Sequence, residues 1–182
     1  HQILLITTPR DSYVPLYGPD VQQGSLDKLT HAGIYGIETS MATLGALYET
    51  DINYYVRLNF TSLIDIVDIL GGVDVDSEVA FTTGDESGAI VEVHEGVNHF
   101  NGKQALAFSR ERHNLEDGDN QRGKNQQAVI TGLLKKVMSP TMLLRSGAIM
   151  NQVSKDVEMN VTQAQLNALI RNQLKTNAEW TI

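Results

Sequence analysis

The fold of this chain is decided by residues 102–127, GKQALAFSRERHNLEDGDNQRGKNQQ, and by the segment that follows them. From about Gly118 to Val137 the spacing of apolar residues predicts one long helix. The face that should bury this helix turns polar in its first two turns, and it consists of Arg122, Gln126, Val129, Ile130, Leu133 and Val137. A buried arginine and a buried glutamine need a partner. Because a helix N-terminus offers free N–H groups and the positive end of its dipole, an anion is favoured as that partner.

A short helix is predicted just upstream. Asn101 is a typical N-cap residue, and Gln104 stands at the position that completes a capping box, so a helix should cover Gly102–Phe108. We expect residues 109–113, SRERH, to be extended after it.

This extended segment carries two further arginines. Alternate residues of an extended chain share a face, so Arg110 and Arg112 should point the same way while Glu111 points off that face. Together with Arg122 they would converge on one anion-binding pocket. The alternative is an ordinary surface network, in which the arginines pair with Glu111, Glu116, Asp117 and Asp119. Both interpretations remain open at this point.

Composition limits the classes of protein and partner. With 182 residues, 41% hydrophobic and 20% charged, the chain is long enough for one globular domain with a full core. The net charge of −8, from 22 acidic and 14 basic residues, argues against nucleic acid as the main partner, since phosphate backbones call for a broad basic face. The absence of cysteine excludes disulfides and thiolate metal sites.

The chain begins inside an apolar run, so we expect an N-terminally incomplete fragment. The run Ile3–Thr8 predicts a buried strand that ends at Pro9. Arg10 would then lie at the carboxyl end of a strand, where α/β sheets place ligand-binding groups, although a local salt bridge with Asp11 is the plainer interpretation. No apolar run is long enough to cross a bilayer.

The remaining segments predict alternating strands and helices. We expect a loop over 12–25, an interrupted helix over 27–48, a half-buried strand over 53–60, a helix over 63–70, and short strands over 73–76 and 90–94. The strand, helix and strand from Asn53 to Asp76 suggest a βαβ unit. Further helices should begin at Ser139-Pro140 and at the capping box of Thr162 and Gln165. Lys28 and His31 share one helical face, where they would either join an anion site or be solvated.

Apolar side chains are frequent between Asn53 and Phe108. They are Tyr54, Val56, Phe60, Leu63, Val67, Phe81 and Phe108. A core is the simpler explanation. The alternative is a hydrophobic cavity beside the anion site, which would suit an amphiphile with a phosphate head and a long hydrocarbon tail.

Six blocks of sequence, in order from about Ile3 to Leu134, resemble the LytR-CpsA-Psr family, and among its members the streptococcal capsule proteins of the CpsA type. The blocks are Pro9–Asp11, Asp27–His31, Tyr54–Phe60, Leu70–Val75, Asn101–Arg112 and Gly118–Gln126. The resemblance implies an α/β fold, a three-layer α/β/α sandwich around a mixed central sheet with a hydrophobic tunnel for a lipid. It also implies that residues 1–182 form the family's catalytic domain.

The resemblance further implies an enzyme on the extracytoplasmic face of a Gram-positive cell membrane, held there by an anchor upstream of His1. Members of the family transfer capsular polysaccharide or a teichoic-acid-type glycan phosphate from a polyprenyl pyrophosphate carrier to peptidoglycan. Mg²⁺ accompanies the pyrophosphate, but the family's metal ligands would lie upstream of His1, so no ligand is expected within this chain.

Site residues follow from the resemblance by position. The pyrophosphate-binding residues would be Arg10, Arg110, Arg112, Arg122 and Gln126, and the catalytic residues would be Asp119 with Arg110 and Arg112. Accessory residues would be Asp11, Lys28 and His31. The lipid tunnel would be lined by Val56, Phe60, Leu63, Val67 and Phe108. One departure stands out, because many members carry a second arginine where this chain has Asn125.

Three other functions compete with transfer. A transcriptional regulator or attenuator is one, although no helix-turn-helix with a basic recognition helix is apparent and the charge has the wrong sign. The others are a non-catalytic carrier of a polyprenyl-phosphate glycan and a pyrophosphatase that uses water as acceptor. These two need the same anion pocket as a transferase, so sequence does not separate them.

Overall fold

The computed structural model describes residues 1–115, 118–144 and 157–182. They form a mixed α/β fold, which confirms the predicted class. The chain divides into two compact units, a smaller one of residues Thr8–Val56 and a larger one that combines His1–Thr7 with Arg57–Ile182. No helix in the described part of the chain combines the length and the apolarity needed to cross a membrane.

The smaller unit is a hairpin followed by helices. Strand β1 (Tyr13–Leu16) pairs antiparallel with β2 (Ser25–Lys28), and α1 (Leu29–Ala32), a 3-10 turn at Gly33–Tyr35 and α2 (Ile37–Tyr48) follow. Its small core consists of Val14, Leu16 and Ala32.

The predicted loop over 12–25 is therefore wrong at its start. Val14 and Leu16 face inward while Pro15 faces out of a two-stranded sheet, where a missing N–H is tolerated. The interrupted helix is confirmed, except that Asp27 and Lys28 belong to β2.

From Val56 onward the chain alternates strands and helices. The elements are β3 (Val56–Leu58), α3 (Phe60–Ile69), β4 (Val73–Ser77), β5 (Phe81–Thr82), β6 (Glu92–Val93), β7 (Gly96–Phe100), α4 (Gly102–Arg110), α5 (Gly118–Val137), α6 (Pro140–Leu144), β8 (Val157–Met159) and α7 (Gln163–Thr176). The strands pair as β3 with β8, β4 antiparallel with β7, and β5 antiparallel with β6.

The local signals for helix starts are confirmed. The capping box of Asn101 and Gln104 opens α4, and that of Thr162 and Gln165 opens α7, with both reciprocal hydrogen bonds present. The helix predicted from Ser139-Pro140 is α6. These signals are reliable because each depends on residues three positions apart in sequence.

Two predictions that depended on distant partners are wrong. The run Ile3–Thr8 is not a buried strand. Leu4 is 77% exposed, and within the described residues this end of the chain makes a single strand-like bridge, between Gln2 and Thr181. Because no neighbouring strand covers the run on both sides, none of its apolar side chains is fully buried. Arg10 consequently does not follow a strand.

The predicted βαβ unit is also wrong. Its two strands do not pair with each other, since β3 pairs with β8 and β4 pairs antiparallel with β7. The expected half-buried strand over 53–60 is reduced to Val56–Leu58, and all of its residues are exposed. Alternation of apolar residues gives the direction of side chains but not which face is covered.

The main core surrounds α4. Phe108 is fully buried, with ring centroids 5.4 Å from Phe100 and 5.7 Å from Phe81. The other members of the buried cluster are Val67, Val73, Val75, Val91, Val93, Ala105, Ala107 and Val129. The helix α5 reaches this core through Val129.

The buried face of α5 lies one residue earlier than predicted. Gln121, Asn125 and Val129 are buried, whereas Arg122 is half-buried and Gln126 and Ile130 are exposed. The two polar residues are tolerated inside because their amides bond to each other. The periodicity of apolar residues could not predict this, because it assigns polar residues such as Gln121 and Asn125 to the exposed face.

A close approach of α5 to β4 generates a stability prediction. A Cβ at Gly132 would collide with the carbonyl oxygen of Asp74 and the side chain of Val73. We expect Gly132→Ala to lower the free energy of unfolding by about 1–3 kcal/mol, because the strand backbone must shift. Urea unfolding followed by circular dichroism measures it.

The matched control is Gly33→Ala, at a residue with φ −67°, where the added Cβ would meet only Ser40 Oγ at 3.8 Å. Its effect should be small. Equal losses in the two variants would contradict the packing explanation.

Candidate anion-binding site

The position of α4 is set by its first residue. Gly102 lies against the backbone of Ile64 in α3, where a Cβ would collide, and its N–H donates to Asp68 Oδ1 at 2.7 Å. The helix continues through Ser109 to Arg110. The expectation that residues 109–113 are extended is therefore wrong at Ser109 and Arg110, and so is the shared-face argument for the first two arginines.

The end of α4 is joined to α5 by two side-chain amides. Asn125 Nδ2 donates to the carbonyl oxygen of Phe108 at 3.2 Å, and Gln126 Nε2 donates to that of Ser109 at 3.3 Å. These carbonyls belong to the last turn of α4, where helix carbonyls lack an internal partner. The bonds place Arg110, the next residue, beside the first turns of α5. Arg122 lies one helical turn before Gln126.

Glu111 is the most unexpected residue of the site. Its side chain is buried, with 1% of the residue exposed, whereas the sequence placed it on an outer face. One carboxylate accepts hydrogen bonds from the N–H of Gly84, the Oγ of Ser87 and the N–H groups of Arg112, His113 and Asn114. Only the position of Glu111 between two arginines could have drawn attention to it in the sequence.

These bonds determine the ionisation of Glu111. Burial by itself raises the pKa of the carboxyl, because it penalises the charged form. The hydrogen bonds from Gly84, Asn114, Ser87 and His113 outweigh burial and lower the pKa from 4.5 to about 2. Glu111 is thus a carboxylate at neutral pH, and its charge is satisfied by dipoles rather than by the neighbouring arginines.

The guanidinium groups of Arg110 and Arg112 make no ion pair with a described carboxylate. Among the acidic side chains that the structure describes, which do not include Glu116, Asp117 and Asp119, none has an oxygen within 4 Å of either group. Arg110 stacks over the ring of Phe60 at 4.6 Å from its centroid, and Arg112 Nε lies 3.2 Å from Nε2 of His113. An ion pair between either guanidinium and Glu111 does not form. The other proposed partners, Glu116, Asp117 and Asp119, lie outside the described side chains, so the choice between an anion site and a surface network stays a prediction.

Parts of the predicted site fall outside the described residues. Glu116 and Asp117 are not described, and neither is the side chain of Asp119, although its backbone lies in the first turn of α5. The catalytic role of Asp119 stays a prediction.

The smaller unit contains the other predicted residues. Asp11 bridges Lys28 Nζ at 2.9 Å and Arg10 Nε at 3.9 Å, so the plainer interpretation of Arg10 as a member of a local salt bridge describes its geometry. His31 Nδ1 lies 2.8 Å from Oδ1 of Asp27. All five side chains are more than one-third exposed. A hydrogen bond from the N–H of Lys28 is the main cause that lowers the pKa of Asp27.

The five predicted tunnel residues lie in different environments. Val67 and Phe108 are fully buried in the core and Leu63 packs against it, while Val56 and Phe60 are each 59% exposed. The exposed ring of Phe60 lies under the guanidinium of Arg110.

The described residues contain no group of three or more His, Asp or Glu side chains that could hold a metal ion. These described residues do not supply a carboxylate or imidazole ligand set for the expected Mg²⁺.

The ionisation of Glu111 predicts a pH-dependent stability. Its pKa is about 2 in the folded protein against 4.5 as the ordinary value, so its contribution is present above about pH 4.5 and is lost as the pH falls through about 2. The difference between these two pKa values corresponds to about 3 kcal/mol of unfolding free energy. Glu111→Gln should remove this component, so the difference in unfolding free energy between wild type and variant should shrink on acidification.

Urea unfolding of both proteins between about pH 6 and pH 2 measures that difference. Glu95→Gln, at an exposed glutamate, is the control and should give a constant difference. A constant difference for Glu111→Gln as well would contradict the assigned pKa.

The chain is similar to known proteins in sequence and in fold. The LytR_cpsA_psr family model matches residues 1–181. A Bacillus cereus (strain AH820) protein named polyisoprenyl-teichoic acid–peptidoglycan teichoic acid transferase TagU is 35% identical over 168 residues, 92% of this chain and 52% of that protein. The chain thus spans about half the length of the curated relatives it matches.

Solved structures are also similar. An Enterococcus faecalis protein described as a transcriptional regulator has a TM-score of 0.77 at 27% identity, covering 94% of this chain and 61% of that one. A structure of TagT bound to LI-WTA has a TM-score of 0.66 at 27% identity, covering 92% of this chain and 60% of that one. Because the family model matches nearly the whole sequence, residues 1–181, this chain belongs to the LytR-CpsA-Psr family.

Proposed function

We propose that this chain carries the phosphate-binding part of an enzyme that transfers a glycopolymer phosphate from a polyprenyl pyrophosphate carrier to peptidoglycan. The observation that carries the proposal is the pair Arg110 and Arg112, two cations that have no carboxylate within 4 Å in the described part of the chain. The names of two relatives support it: TagU is named as a transferase from polyisoprenyl-teichoic acid to peptidoglycan, and TagT is described as bound to LI-WTA.

The chemistry of the site suits a pyrophosphate. A guanidinium presents N–H donors in a planar fork that matches two phosphate oxygens, and Arg110, Arg112 and Arg122 could each bind in this way. The first turn of α5 adds backbone N–H groups and the positive end of a helix dipole. An overall charge of −8 makes such a local cation cluster selective for small anions rather than for long polyanions.

In the proposed step, a hydroxyl oxygen of the acceptor attacks the phosphorus atom that carries the glycan. A new P–O bond forms there, and the bond from that phosphorus to the bridging oxygen breaks. The leaving group is polyprenyl phosphate, and the hydroxyl proton passes to a base. The arginines stabilise the negative charge that grows on the leaving phosphate, so catalysis depends on position and charge.

Asp119 is the proposed partner of the acceptor hydroxyl or of an arginine. A carboxylate among arginines should have a lowered pKa and be a weak base, so we favour the role of orienting an arginine. Mg²⁺ remains an expectation from the family, and when bound it would neutralise charge on the two phosphates.

The hydrocarbon side of the substrate would lie beside the arginines. Phe60 is 59% exposed and stacks with Arg110, so it could contact the first isoprene units while Arg110 binds the phosphate. Residues Val56, Leu63, Val67 and Phe108 are the other proposed tunnel positions. The proposed acceptor, peptidoglycan, would place the activity at the extracytoplasmic face of the cell membrane. The proposed glycan is a capsular polysaccharide or a teichoic-acid-type polymer.

A regulator of transcription is the second candidate, because one similar structure carries that description. Support for a regulator is weaker than support for a transferase. The net charge of −8 argues against a broad basic surface that could bind the phosphate backbone of nucleic acid.

Arg110 generates the first functional prediction. In the whole protein, the double variant Arg110→Ala, Arg122→Ala should lose bound polyprenyl phosphate, because two bidentate donors to the head group are removed. Mass spectrometry of lipid extracted from the purified protein measures the loss. Arg171→Ala, at an exposed arginine of α7, should keep the lipid.

Transfer should depend on Arg122 without a loss of folding. We expect Arg122→Ala to lower acceptor-dependent product formation about 100-fold, as the loss of one charge-stabilising donor does in other enzymes. If this variant does not fold, Arg122 instead has a structural role, as a member of an ion pair. Product formation without a peptidoglycan acceptor would favour a pyrophosphatase.

A further inference from the structure

Glu111 is a buried ionised group to which the proposed mechanism gives no role. It lies between two arginines, with 1% of the residue exposed. A buried carboxylate is costly, and a well-packed apolar side chain would usually be no less stabilising. The arrangement of its hydrogen bonds explains what the carboxylate does that an apolar residue would not.

The two carboxylate oxygens bind two separate loops. Oε2 accepts from the N–H of Gly84 at 2.5 Å and from Ser87 Oγ at 2.9 Å. Oε1 accepts from the N–H groups of Arg112, His113 and Asn114 at 2.9, 2.8 and 3.1 Å. Glu111 thereby joins the 3-10 turn at 85–87 to the turn that carries Arg112.

The joined turn lies beside the other arginine. Gly88, with φ +102°, ends the 3-10 turn, and a Cβ built there would lie 3.7 Å from Nη1 of Arg110. The carboxylate of Glu111 accepts no hydrogen bond from either guanidinium group. Its two oxygens are occupied by backbone N–H groups and a hydroxyl group. Glu111 therefore holds both loops and does not itself pair with the guanidinium of Arg110 or Arg112.

We propose that Glu111 is a positioning residue for phosphate binding: by clamping the Gly84–Gly88 turn to residues 111–114, it fixes the directions of Arg110 and Arg112 without pairing with either. The inference rests on the proposed function, because it assigns Glu111 to the same anion site. Pre-organised donors bind more tightly since less conformational freedom is lost on binding.

The charge of Glu111 has the opposite effect to its geometry. A negative charge near a phosphate repels it, so removal of the charge by itself would tighten binding. If positioning dominates, the neutral variant binds more weakly. The sign of the change therefore separates the two effects.

The test is a double-mutant cycle with inorganic pyrophosphate as the probe, measured by isothermal titration calorimetry on the whole protein. Glu111→Gln is made in the wild-type background and in the Arg110→Ala, Arg112→Ala background. We expect roughly a tenfold rise in Kd in the first background, the scale seen when groups that orient binding residues are removed. In the second background we expect no further change, because the groups that Glu111 positions are absent.

Each other outcome overturns the inference in a distinguishable way. An unchanged or lower Kd for Glu111→Gln in the wild-type background means that positioning does not matter. An equal rise in both backgrounds means a general structural role. If the double arginine variant binds pyrophosphate as tightly as wild type, the proposed function fails and the inference fails with it. Glu95→Gln should leave Kd unchanged in both backgrounds.

A second variant keeps the test informative if Glu111→Gln does not fold. Ser87→Ala removes one donor to Oε2 and leaves the carboxylate and its charge in place. We expect about a threefold rise in Kd, corresponding to the net contribution of one hydrogen bond, and only when both arginines are present. No rise, or the same rise without the arginines, overturns the inference.

Discussion

The site depends on one buried carboxylate that is satisfied by dipoles instead of cations. Glu111 accepts hydrogen bonds from Gly84, Ser87, Arg112, His113 and Asn114, and this set of donors lowers its pKa to about 2 despite its burial. Because these donors are uncharged main-chain and hydroxyl groups, Glu111 is satisfied without pairing with the guanidinium of Arg110 or Arg112. A salt bridge between Glu111 and an arginine would stabilise the loop as well, but it would neutralise the charge of that arginine.

Uncharged groups also satisfy polar atoms at the junction of α4 and α5. The carbonyls of Phe108 and Ser109 in the last turn of α4 accept hydrogen bonds from Asn125 and Gln126, so α5 supplies partners that the helix itself lacks. Asn125 is 2% exposed and serves the packing of α5 on α4. Phe108, which contacts the rings of Phe100 and Phe81, packs the same end of α4 into the core.

How far the sequence predicted this arrangement depended on the range of each interaction. The capping boxes at Asn101 and Thr162 and the full extent of α5 were predictable, because capping and helical periodicity act over a few neighbouring residues. The convergence of Arg110, Arg112 and Arg122 on one anion site stays a prediction. Strand pairing was not, because it depends on partners far along the chain: Val56–Leu58 pairs with residues 157–159. Burial of Glu111 was missed because its donors at 84 and 87 are 27 and 24 residues away.

A crystal structure of the protein with a short-chain polyprenyl pyrophosphate would test most directly whether Glu111 positions the arginines for a phosphate. We expect phosphate oxygens within hydrogen-bond distance of the guanidinium groups of Arg110 and Arg112, with the carboxylate of Glu111 still bonded to the N–H groups of Gly84 and Asn114. We also expect the first isoprene unit to contact Phe60. A pyrophosphate bound away from α4 and α5, or arginines that turn to pair with Glu111 when the ligand is present, would contradict this role of Glu111.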